Sequence, residues 1–298
     1  MILQKFLRAN EGKLPEAKAQ LLAALKWRKE YNPLAAKDEV FSKAKFGGLG
    51  YVTKVKGAKL GAQDSIKKED VVVFNIYGAA AKNSKETFGD TDAFVRWRVA
   101  LMELTLAHLD LPNATAQIPD YGQGLDPYQA IQLHDYQSVS FFRQPAEIKA
   151  SSTKIIDLFQ RYYPETVSYK YFANVPLLMQ WMMGAMKALM SKDSIQKMTW
   201  TSYGNTLDQY LGKDVPKEYG GNGPALEGSA WTVKYDEAAP TATEKVKPTT
   251  TAEPQAQPQT STAPVPTTTA VAEPQPSTIS ASQPSEAEVP SAPEVTKS

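Results

Sequence analysis

Segments that read as strands and helices alternate along the first 235 residues of this 298-residue chain, and this alternation limits the folds available to it. Val71–Tyr77 is a continuous β-rich run, the pattern of a strand covered on both faces. Gly89-Asp90-Thr91 is a capping signal, and the apolar spacing after it predicts a helix to about Leu109. A strand around His134 and a helix over Ile148–Tyr163 follow. The order predicts an α/β layer fold with a mostly parallel sheet.

The same reasoning predicts further elements on both sides of that region. They are helices over Pro15–Tyr31, Leu177–Lys192 and Asn205–Leu211, and strands over Tyr169–Val175 and Lys197–Ser202.

The last part of the chain has a different composition. From Ala238 to Ser298 there is no Phe, Trp or Tyr, and 11 of the 21 prolines of the chain lie there. Such a segment cannot bury enough apolar surface to offset the entropy lost on ordering. We therefore predict a disordered Pro/Thr/Ala-rich tail over residues 236–298, after a folded region that ends near Tyr235.

Composition excludes several classes of function. The first 237 residues carry 30 basic and 26 acidic residues, a net charge of about +4, which is no nucleic-acid footprint. The absence of cysteine excludes disulfides, thiolate zinc sites, iron–sulfur clusters and thiolate-ligated haem. The N-terminus lacks the features of a secretory signal, and no stretch reads as a membrane span. A soluble, cytoplasmic protein is expected.

One of the two histidines lies two residues from a tyrosine, in the strand-like segment Leu133–Ser140. Side chains alternate faces along a strand, so His134 and Tyr136 are expected on one face and their neighbours on the other. The apolar flanks indicate that this face borders an interior. From the residues alone, a hydrogen-bonded core pair and a pair of metal-competent ligands both remain open. The other histidine, His108, is predicted to pack on its helix face instead of binding a ligand.

Five sequence segments, in family order, resemble the CRAL-TRIO lipid-transfer family, the fold of the Sec-fourteen-like phosphatidylinositol transfer proteins. They are Lys5-Phe6-Leu7-Arg8-Ala9, Leu25-Lys26-Trp27-Arg28-Lys29, Tyr162-Tyr163-Pro164-Glu165, Tyr171-Phe172-Ala173-Asn174-Val175-Pro176 and Glu218-Tyr219-Gly220-Gly221. The resemblance implies a CRAL-TRIO lipid-binding fold, in which a mostly parallel sheet floors an apolar pocket and helices cover it.

That resemblance also implies how the chain is divided. Residues 1–34 form an N-terminal helical region that is shorter than usual in the family, and residues 35–235 form the lipid-binding domain. The Met-rich segment Leu177–Lys192 is the candidate for a mobile gate helix, although an ordinary buried helix explains it equally well.

The strand that floors the pocket departs from the family pattern. Lipid carriers of this family usually have apolar-Asp-apolar-x-Gly there, whereas this chain has His134-Asp135-Tyr136-Gln137-Ser138. The substitution resembles the fungal fifth-homologue branch, which consists of haem-binding, non-classical phosphatidylinositol transfer proteins. It implies a ferric haem b bound through Tyr136, because a phenolate oxygen favours Fe(III). His134 could donate a hydrogen bond to that phenolate or could itself ligate the iron.

The same branch implies three further haem-binding residues, each with a simpler alternative. Arg98 and Lys170 could each bind a propionate; alternatively Arg98 extends to solvent and Lys170 is an exposed residue at a strand edge. Tyr77 could cover the iron or simply cap the sheet.

For the lipid headgroup, the family pattern implies Glu165 and the pair Lys217-Glu218, with the basic residue displaced by one position. The expected function is therefore haem b binding combined with phosphatidylinositol transfer, at the cytoplasmic surface of the endoplasmic reticulum or microsomal membrane. The alternatives are a plain phosphatidylinositol carrier and, less favoured, a haem enzyme. Because an enzyme needs acid–base groups near the iron and only His134 is an obvious one, no catalytic activity is expected.

Overall fold

A computed structural model describes residues 1–80, 84–139, 145–177 and 196–237 of the chain. These residues belong to one compact unit, Met1–Ala242. The predicted tail after Glu237 lies outside the described residues, as does the predicted gate helix after Leu177.

The central sheet has five strands in the order β2-β5-β6-β7-β8, and short two-stranded pairs form beside it. The strands are β1 (Val40–Phe41), β2 (Gly50–Val55), β3 (Lys59–Leu60), β4 (Gln63–Asp64), β5 (Asp70–Ile76), β6 (Ala130–Asp135), β7 (Val167–Ala173), β8 (Met198–Trp200) and β9 (Lys234–Tyr235). Strands β5 to β8 are mutually parallel, and β2 pairs antiparallel with β5. The predicted α/β fold with a mostly parallel sheet is confirmed.

The helices alternate with these strands. They are α1 (Ile2–Ala9), α2 (Leu14–Tyr31), α3 (Pro33–Ala36), α4 (Lys43–Phe46), α5 (Tyr77–Ala80), α6 (Ser84–Phe88), α7 (Thr91–His108), α8 (Ala146–Tyr162), α9 (Asp208–Leu211) and α10 (Leu226–Ser229), with 3₁₀ turns at Leu111–Asn113, Gly204–Thr206 and Lys217–Tyr219. None of the helices in the described part of the chain is long and apolar enough to cross a membrane.

Local signals account for the ends of the long helices. The Asp90 side chain accepts a hydrogen bond of 3.0 Å from the Ala93 backbone N–H and so caps α7, as predicted. Pro15 lies in the first turn of α2, where its missing N–H costs nothing. Asn32 ends α2 in the left-handed conformation and is followed by a proline.

One missed strand and two strand ends distinguish the structure from the sequence prediction around the site. The edge strand β2 was not predicted, because Thr53 and Lys54 interrupt its apolar pattern. Strand β5 ends at Ile76, so Tyr77 begins the short helix α5 instead of ending the strand. Strand β6 ends at Asp135, one residue before Tyr136, because the chain turns there.

The two faces of the sheet bury different cores. One face, which we call the α7 face, carries Val71 and Val73 and packs against α7 and α8. The opposite face carries Val72 and Phe74 and packs against the C-terminal segment, including Leu207. Both faces of β5 are therefore covered, as its continuous β-rich pattern predicts.

The N-terminal helix α1 is fixed to the domain by buried charges. Lys5, which is only 3% exposed, donates hydrogen bonds of 2.6 Å to the Asp126 carboxylate and 2.8 Å to the Glu165 carbonyl. Burial lowers the pKa of Lys5, and the Asp126 charge partly offsets that effect. Arg8 adds an ion pair of 3.3 Å to the Glu165 carboxylate. Detaching helix α1 would leave the charges of Asp126 and Glu165 buried without their partners, which is costly. Helix α1 is therefore part of the folded domain.

Candidate functional site

A row of polar and aromatic side chains crosses the α7 face near the carboxyl ends of the parallel strands. In the strand register Asn75 on β5 lies beside His134 on β6, which lies beside Phe172 on β7, and Trp200 on β8 follows. Leu133 points to the opposite face and joins the core there. The predicted alternation of side chains around His134 is confirmed.

Five aromatic rings form a continuous surface along this row, which we call the aromatic wall. Its members are Tyr77, His134, Tyr136, Phe172 and Trp200. The His134 ring stacks on Phe172 at 5.1 Å between centroids and on Tyr77 at 5.7 Å, with interplanar angles of 16° and 10°. Tyr136 lies 5.6 Å from Tyr77 and 6.2 Å from Phe172. The rings of Tyr77, His134 and Phe172 are therefore nearly parallel and stack side by side along the wall.

The turn after β6 holds Tyr136 in this wall although the strand has ended. The Tyr136 N–H donates to the Ala173 carbonyl at 3.0 Å, which keeps the residue beside β7. The Asp135 carboxylate accepts the Gln137 N–H at 2.8 Å and thus bridges across Tyr136. Gly78 lies against the Gln137 carbonyl, where a Cβ atom would come within 1.9 Å of the oxygen. Only glycine allows the α5 turn, which begins with Tyr77, to approach so closely.

His134 is a neutral imidazole with an unsatisfied nitrogen. Burial lowers its pKa well below the usual value, and the nearby charges of Lys170 and Arg98 lower it further. Its Nε2 lies 3.4 Å from the Gln132 side-chain oxygen. Its Nδ1 is buried, and no hydrogen-bond partner for it lies among the residues that the structure describes. Since buried polar atoms are almost always paired, this nitrogen is a candidate contact for a ligand atom.

Tyr136 is buried enough for its hydroxyl to be a poor acid. Burial raises the pKa of this hydroxyl above its ordinary value, and the neighbouring Tyr77 raises it further. The phenol therefore keeps its proton unless a positive charge is placed beside its oxygen.

Arg98 on α7 is a buried cation held by a neutral side chain. It is 4% exposed, and its Nη1 donates to the Asn75 side-chain oxygen. Its guanidinium also lies 5.6 Å above the Phe159 ring. Burial lowers the pKa of Arg98. The alternative in which Arg98 extends to solvent is therefore wrong.

Lys170 is the second cation of this face. It lies on β7, between β6 and β8, so it is not at a strand edge and that alternative is also wrong. Burial lowers its pKa. Within the described ranges of the chain, no carboxylate pairs with either Lys170 or Arg98. Two cations in a partly buried site without a counterion favour a ligand that brings negative charge.

The structure thus brings together all five residues that the sequence assigned to one site: Tyr77, Arg98, His134, Tyr136 and Lys170. The site combines aromatic surface with two cations, which suits a largely apolar ligand that carries anionic groups. No cluster of three or more His, Asp or Glu side chains suited to a bare metal ion occurs in the described part of the chain. His108 packs as predicted, with its ring 3.8 Å from that of Trp231.

The residues assigned to a lipid headgroup are not brought together. Glu165 lies before the start of β7, where it pairs with Arg8 and accepts from Gln129 at 3.0 Å. Lys217 and Glu218 are exposed and lie beside Tyr219, which bonds the carboxyl end of β6 on the opposite face. No hydrogen bond or ion pair joins Glu165 to Lys217 or Glu218 in the described part of the chain, so a headgroup site built from both stays a prediction without support from this geometry.

Sequence reasoning missed four residues of the site: Asn75, Gln132, Phe172 and Trp200. One signal for Asn75 was present, because it is the only polar residue in the run Val71–Ile76. Gln132 also had a signal, because it lies two residues before His134 in the same strand and so shares its face. Phe172 and Trp200 could be placed only by the register, since nothing in their spacing along the chain relates them to His134.

Comparison with known proteins identifies the family. The CRAL/TRIO domain profile matches residues 67–221. The phosphatidylinositol transfer protein SFH5 of Phaeosphaeria nodorum is 51% identical over 230 residues, which are 77% of this chain and 68% of that protein. The sfh5 protein of Aspergillus niger is 48% identical over 242 residues, 80% of this chain and 49% of that protein. This chain thus spans about half to two thirds of the length of these relatives.

A solved structure gives the same result. The crystal structure of Sfh5 superposes with a TM-score of 0.58 at 31% sequence identity, covering 72% of this chain and 71% of that one. The resemblance inferred from the five sequence segments is therefore confirmed at the level of both sequence and fold. This chain belongs to the CRAL-TRIO family of Sec-fourteen-like proteins.

Proposed function

We propose that this chain binds haem b on the aromatic wall and also binds and transfers phosphatidylinositol, without acting as an enzyme. One observation carries the haem proposal: the stacked aromatic wall contains a buried imidazole nitrogen and is flanked by two cations, and within the described ranges neither the nitrogen has a hydrogen-bond partner nor the cations a carboxylate. Haem is planar and apolar and carries two propionates. The residues present therefore fit it.

Tyr136 is the residue that we assign to the iron. A haem bound here would supply a ferric centre, for which a hard anionic oxygen is a suitable ligand. Burial alone disfavours the Tyr136 phenolate, so the positive charge of the ligand must stabilise it. A ferric charge beside the Tyr136 oxygen would lower the pKa of its hydroxyl, and the hydroxyl proton would be released to water on loading.

His134 supports that oxygen or replaces it as the ligand. A neutral imidazole has one N–H donor and one lone pair. In the tautomer that carries its hydrogen on Nδ1, His134 can donate to the Tyr136 oxygen, and the Gln132 amide then turns so that its N–H donates to Nε2. In the other tautomer its bare Nδ1 could ligate iron itself. We favour Tyr136 because the anionic oxygen suits ferric iron, and the experiment below separates the two.

Arg98 and Lys170 are assigned to the propionates. Both are cations near His134, since both lower its pKa. Two anionic groups would neutralise them and remove the cost of burying unpaired charge. Tyr77, stacked against His134, would add apolar contact.

The lipid part of the proposal rests on the relatives. Several fungal proteins at 46–51% identity are named phosphatidylinositol transfer proteins, and the fold is shared with Sfh5. Transfer requires contact with membranes, so we propose peripheral association with the cytoplasmic surface of the endoplasmic reticulum or microsomal membrane. The alternative of a plain phosphatidylinositol carrier assigns His134 and Tyr136 only to polarising the pocket.

An absorption spectrum of the purified chain tests the proposal. A red-brown protein with a Soret band and ferric charge-transfer bands supports haem binding, whereas a colourless protein that carries only lipid supports the plain carrier. Tyr136→Phe should remove or shift the charge-transfer bands while the circular dichroism stays unchanged. The matched control is Tyr210→Phe, a partly buried tyrosine that packs on the opposite face. If His134→Gln abolishes the bands and Tyr136→Phe does not, the iron ligand is His134.

A further inference from the structure

The contact between Arg98 and Asn75 is unusual for a buried arginine. Buried guanidinium groups are ordinarily paired with carboxylates, because desolvating an unpaired charge is costly. Here the hydrogen bond goes to a neutral amide, and Nε of Arg98 has no partner among the described residues. Among the described residues, the positive charge of Arg98 is therefore held in place but meets no carboxylate.

The geometry of Asn75 leaves its side chain one orientation. Its Nδ2 donates a hydrogen bond of 3.1 Å to the Leu133 carbonyl, the residue before His134. The amide oxygen must then point towards Arg98, which it does. Asn75 is fully buried, so water cannot replace either partner. The side chain connects helix α7 to strand β6 at the position of the aromatic wall.

A glycine beside Asn75 brings Arg98 within reach. Gly50 on β2 is in register with Asn75, and a Cβ atom at Gly50 would lie 2.5 Å from Leu101 and 2.9 Å from Trp97. Because the glycine has no side chain, these two α7 residues pack directly on the sheet. Arg98 is the next residue of the helix, and its Nη1 reaches the Asn75 side-chain oxygen.

We infer that Asn75 is a positioning residue that orients Arg98 towards the ligand while leaving its charge free for an anionic group of that ligand. An aspartate at this position would have nearly the same shape but would neutralise Arg98 internally. The inference rests on the proposed function for the identity of the anion, which is a haem propionate in the first instance. A lipid phosphate could pair with Arg98 in the same way as a propionate. The second experiment below distinguishes the two anions.

The first test needs no ligand. In the haem-free chain Arg98→Met removes an uncompensated buried charge, so we expect its thermal midpoint to be equal to or higher than that of the unchanged protein. In the Asn75→Asp background the same change removes one partner of a buried ion pair, so we expect the midpoint to fall. This reversal of sign supports the inference, and a change of the same sign in both backgrounds overturns it. Should Asn75→Asp fail to fold, Asn75→Ser takes its place in the binding comparison below, because it removes the amide that orients Arg98.

The second test compares haemin with haemin dimethyl ester, which lacks the anionic propionates. We expect Asn75→Asp to weaken haemin binding at least about tenfold while changing ester binding much less, because a truncated or neutralised charge partner costs a large part of the pair energy. Arg98→Met should also reduce the ratio of haemin affinity to ester affinity. The double variant Asn75→Asp/Arg98→Met should reduce that ratio no further.

A purely structural role for Asn75 predicts a different result. In that case Asn75→Asp would weaken the binding of haemin and of its ester equally, and the ratio of the two affinities would not change. That result overturns the inference while leaving haem binding intact. If the chain binds neither porphyrin, the proposed function fails, and the ligand-free test still decides the role of Asn75. If only phosphatidylinositol transfer between vesicles falls in Asn75→Asp, the anion that Arg98 binds is the lipid phosphate.

Discussion

The Tyr219 hydroxyl donates a hydrogen bond of 2.9 Å to the Asp135 carboxylate, although the two residues are 84 positions apart. Asp135 immediately precedes Tyr136 and points to the opposite face of the sheet. It also accepts from the Asn174 side chain and the Gln137 N–H, both at 2.8 Å. A buried carboxylate with three donors thus fixes the turn that carries Tyr136.

Asp135→Ala should therefore destabilise the protein and loosen the site. The change leaves buried donors from three segments without an acceptor, so we expect the free energy of unfolding to fall by about 2–3 kcal/mol. Urea denaturation measures this. Asp135→Asn is the matched control, because its amide oxygen can still accept two of the bonds, and it should cost clearly less. Equal losses in the two variants would show that the hydrogen bonds of Asp135 do not hold the turn.

Stability should depend on pH through His134. Burial and the charges of Lys170 and Arg98 lower its pKa in the folded state, so below about pH 6.5 the unfolded chain binds a proton that the folded chain does not. The free energy of unfolding of the ligand-free protein should then be unaffected above neutrality and fall as the pH decreases from about 7 to 5. Tyr136 also lies on this face, and burial raises its pKa away from this range.

His134→Gln should remove most of that pH dependence. His108→Gln is the control, because the pKa of His108 is also lowered, by partial burial and by Lys54, but that ring lies far from the aromatic wall. Urea denaturation at several pH values measures both variants. If the slope survives in His134→Gln and disappears in His108→Gln, the neutral imidazole of the site does not account for it.

Haem and phosphatidylinositol should compete for one pocket. His134 and Tyr136 replace the apolar side chains that the family pattern places on the pocket floor, where acyl chains are expected to lie. The double change His134→Met and Tyr136→Leu should therefore abolish haem binding and preserve or raise phosphatidylinositol transfer between vesicles. The comparison is with the haem-loaded unchanged protein. If that protein transfers lipid as fast as the double variant without releasing haem, the two ligands occupy separate sites.

Deletion of residues 238–298 should leave both stability and haem content unchanged. The segment contains no aromatic residue and 11 prolines, so it has little apolar surface with which to pack on the domain. A thermal melt and the absorbance ratio of haem to protein measure the two properties. Unfolding of the shortened chain at an appreciably lower temperature would show that the segment packs on the domain.

Much of the fold could be predicted from local signals. The capping residue Asp90, the continuous β-rich run of β5 and the proline in the first turn of α2 specify elements whose stability depends on nearby residues. The edge strand β2 could not be predicted in this way. Its sequence is mixed, and it forms a strand because β5 offers it a pairing edge and because Gly50 leaves room for α7.

Some residues of the candidate site could likewise be predicted from the sequence, and others could not. Period-two alternation placed His134 and Tyr136 on one face, and the family resemblance contributed Tyr77, Arg98 and Lys170. The sequence could also show, through its composition, which cofactor classes lack ligands in this chain. These conclusions depend on residue type and short-range geometry, which the order of amino acids contains directly.

Only the tertiary structure decided what those residues contact. The parallel register places Asn75, Phe172 and Trp200 beside His134, and the packing of α7 over Gly50 places Arg98 on a neutral amide. Such relations join residues that are distant in the chain, and they are set by the summed packing of strands and helices. For that reason the residue types of the site follow from the sequence, whereas its electrostatics follow from the fold.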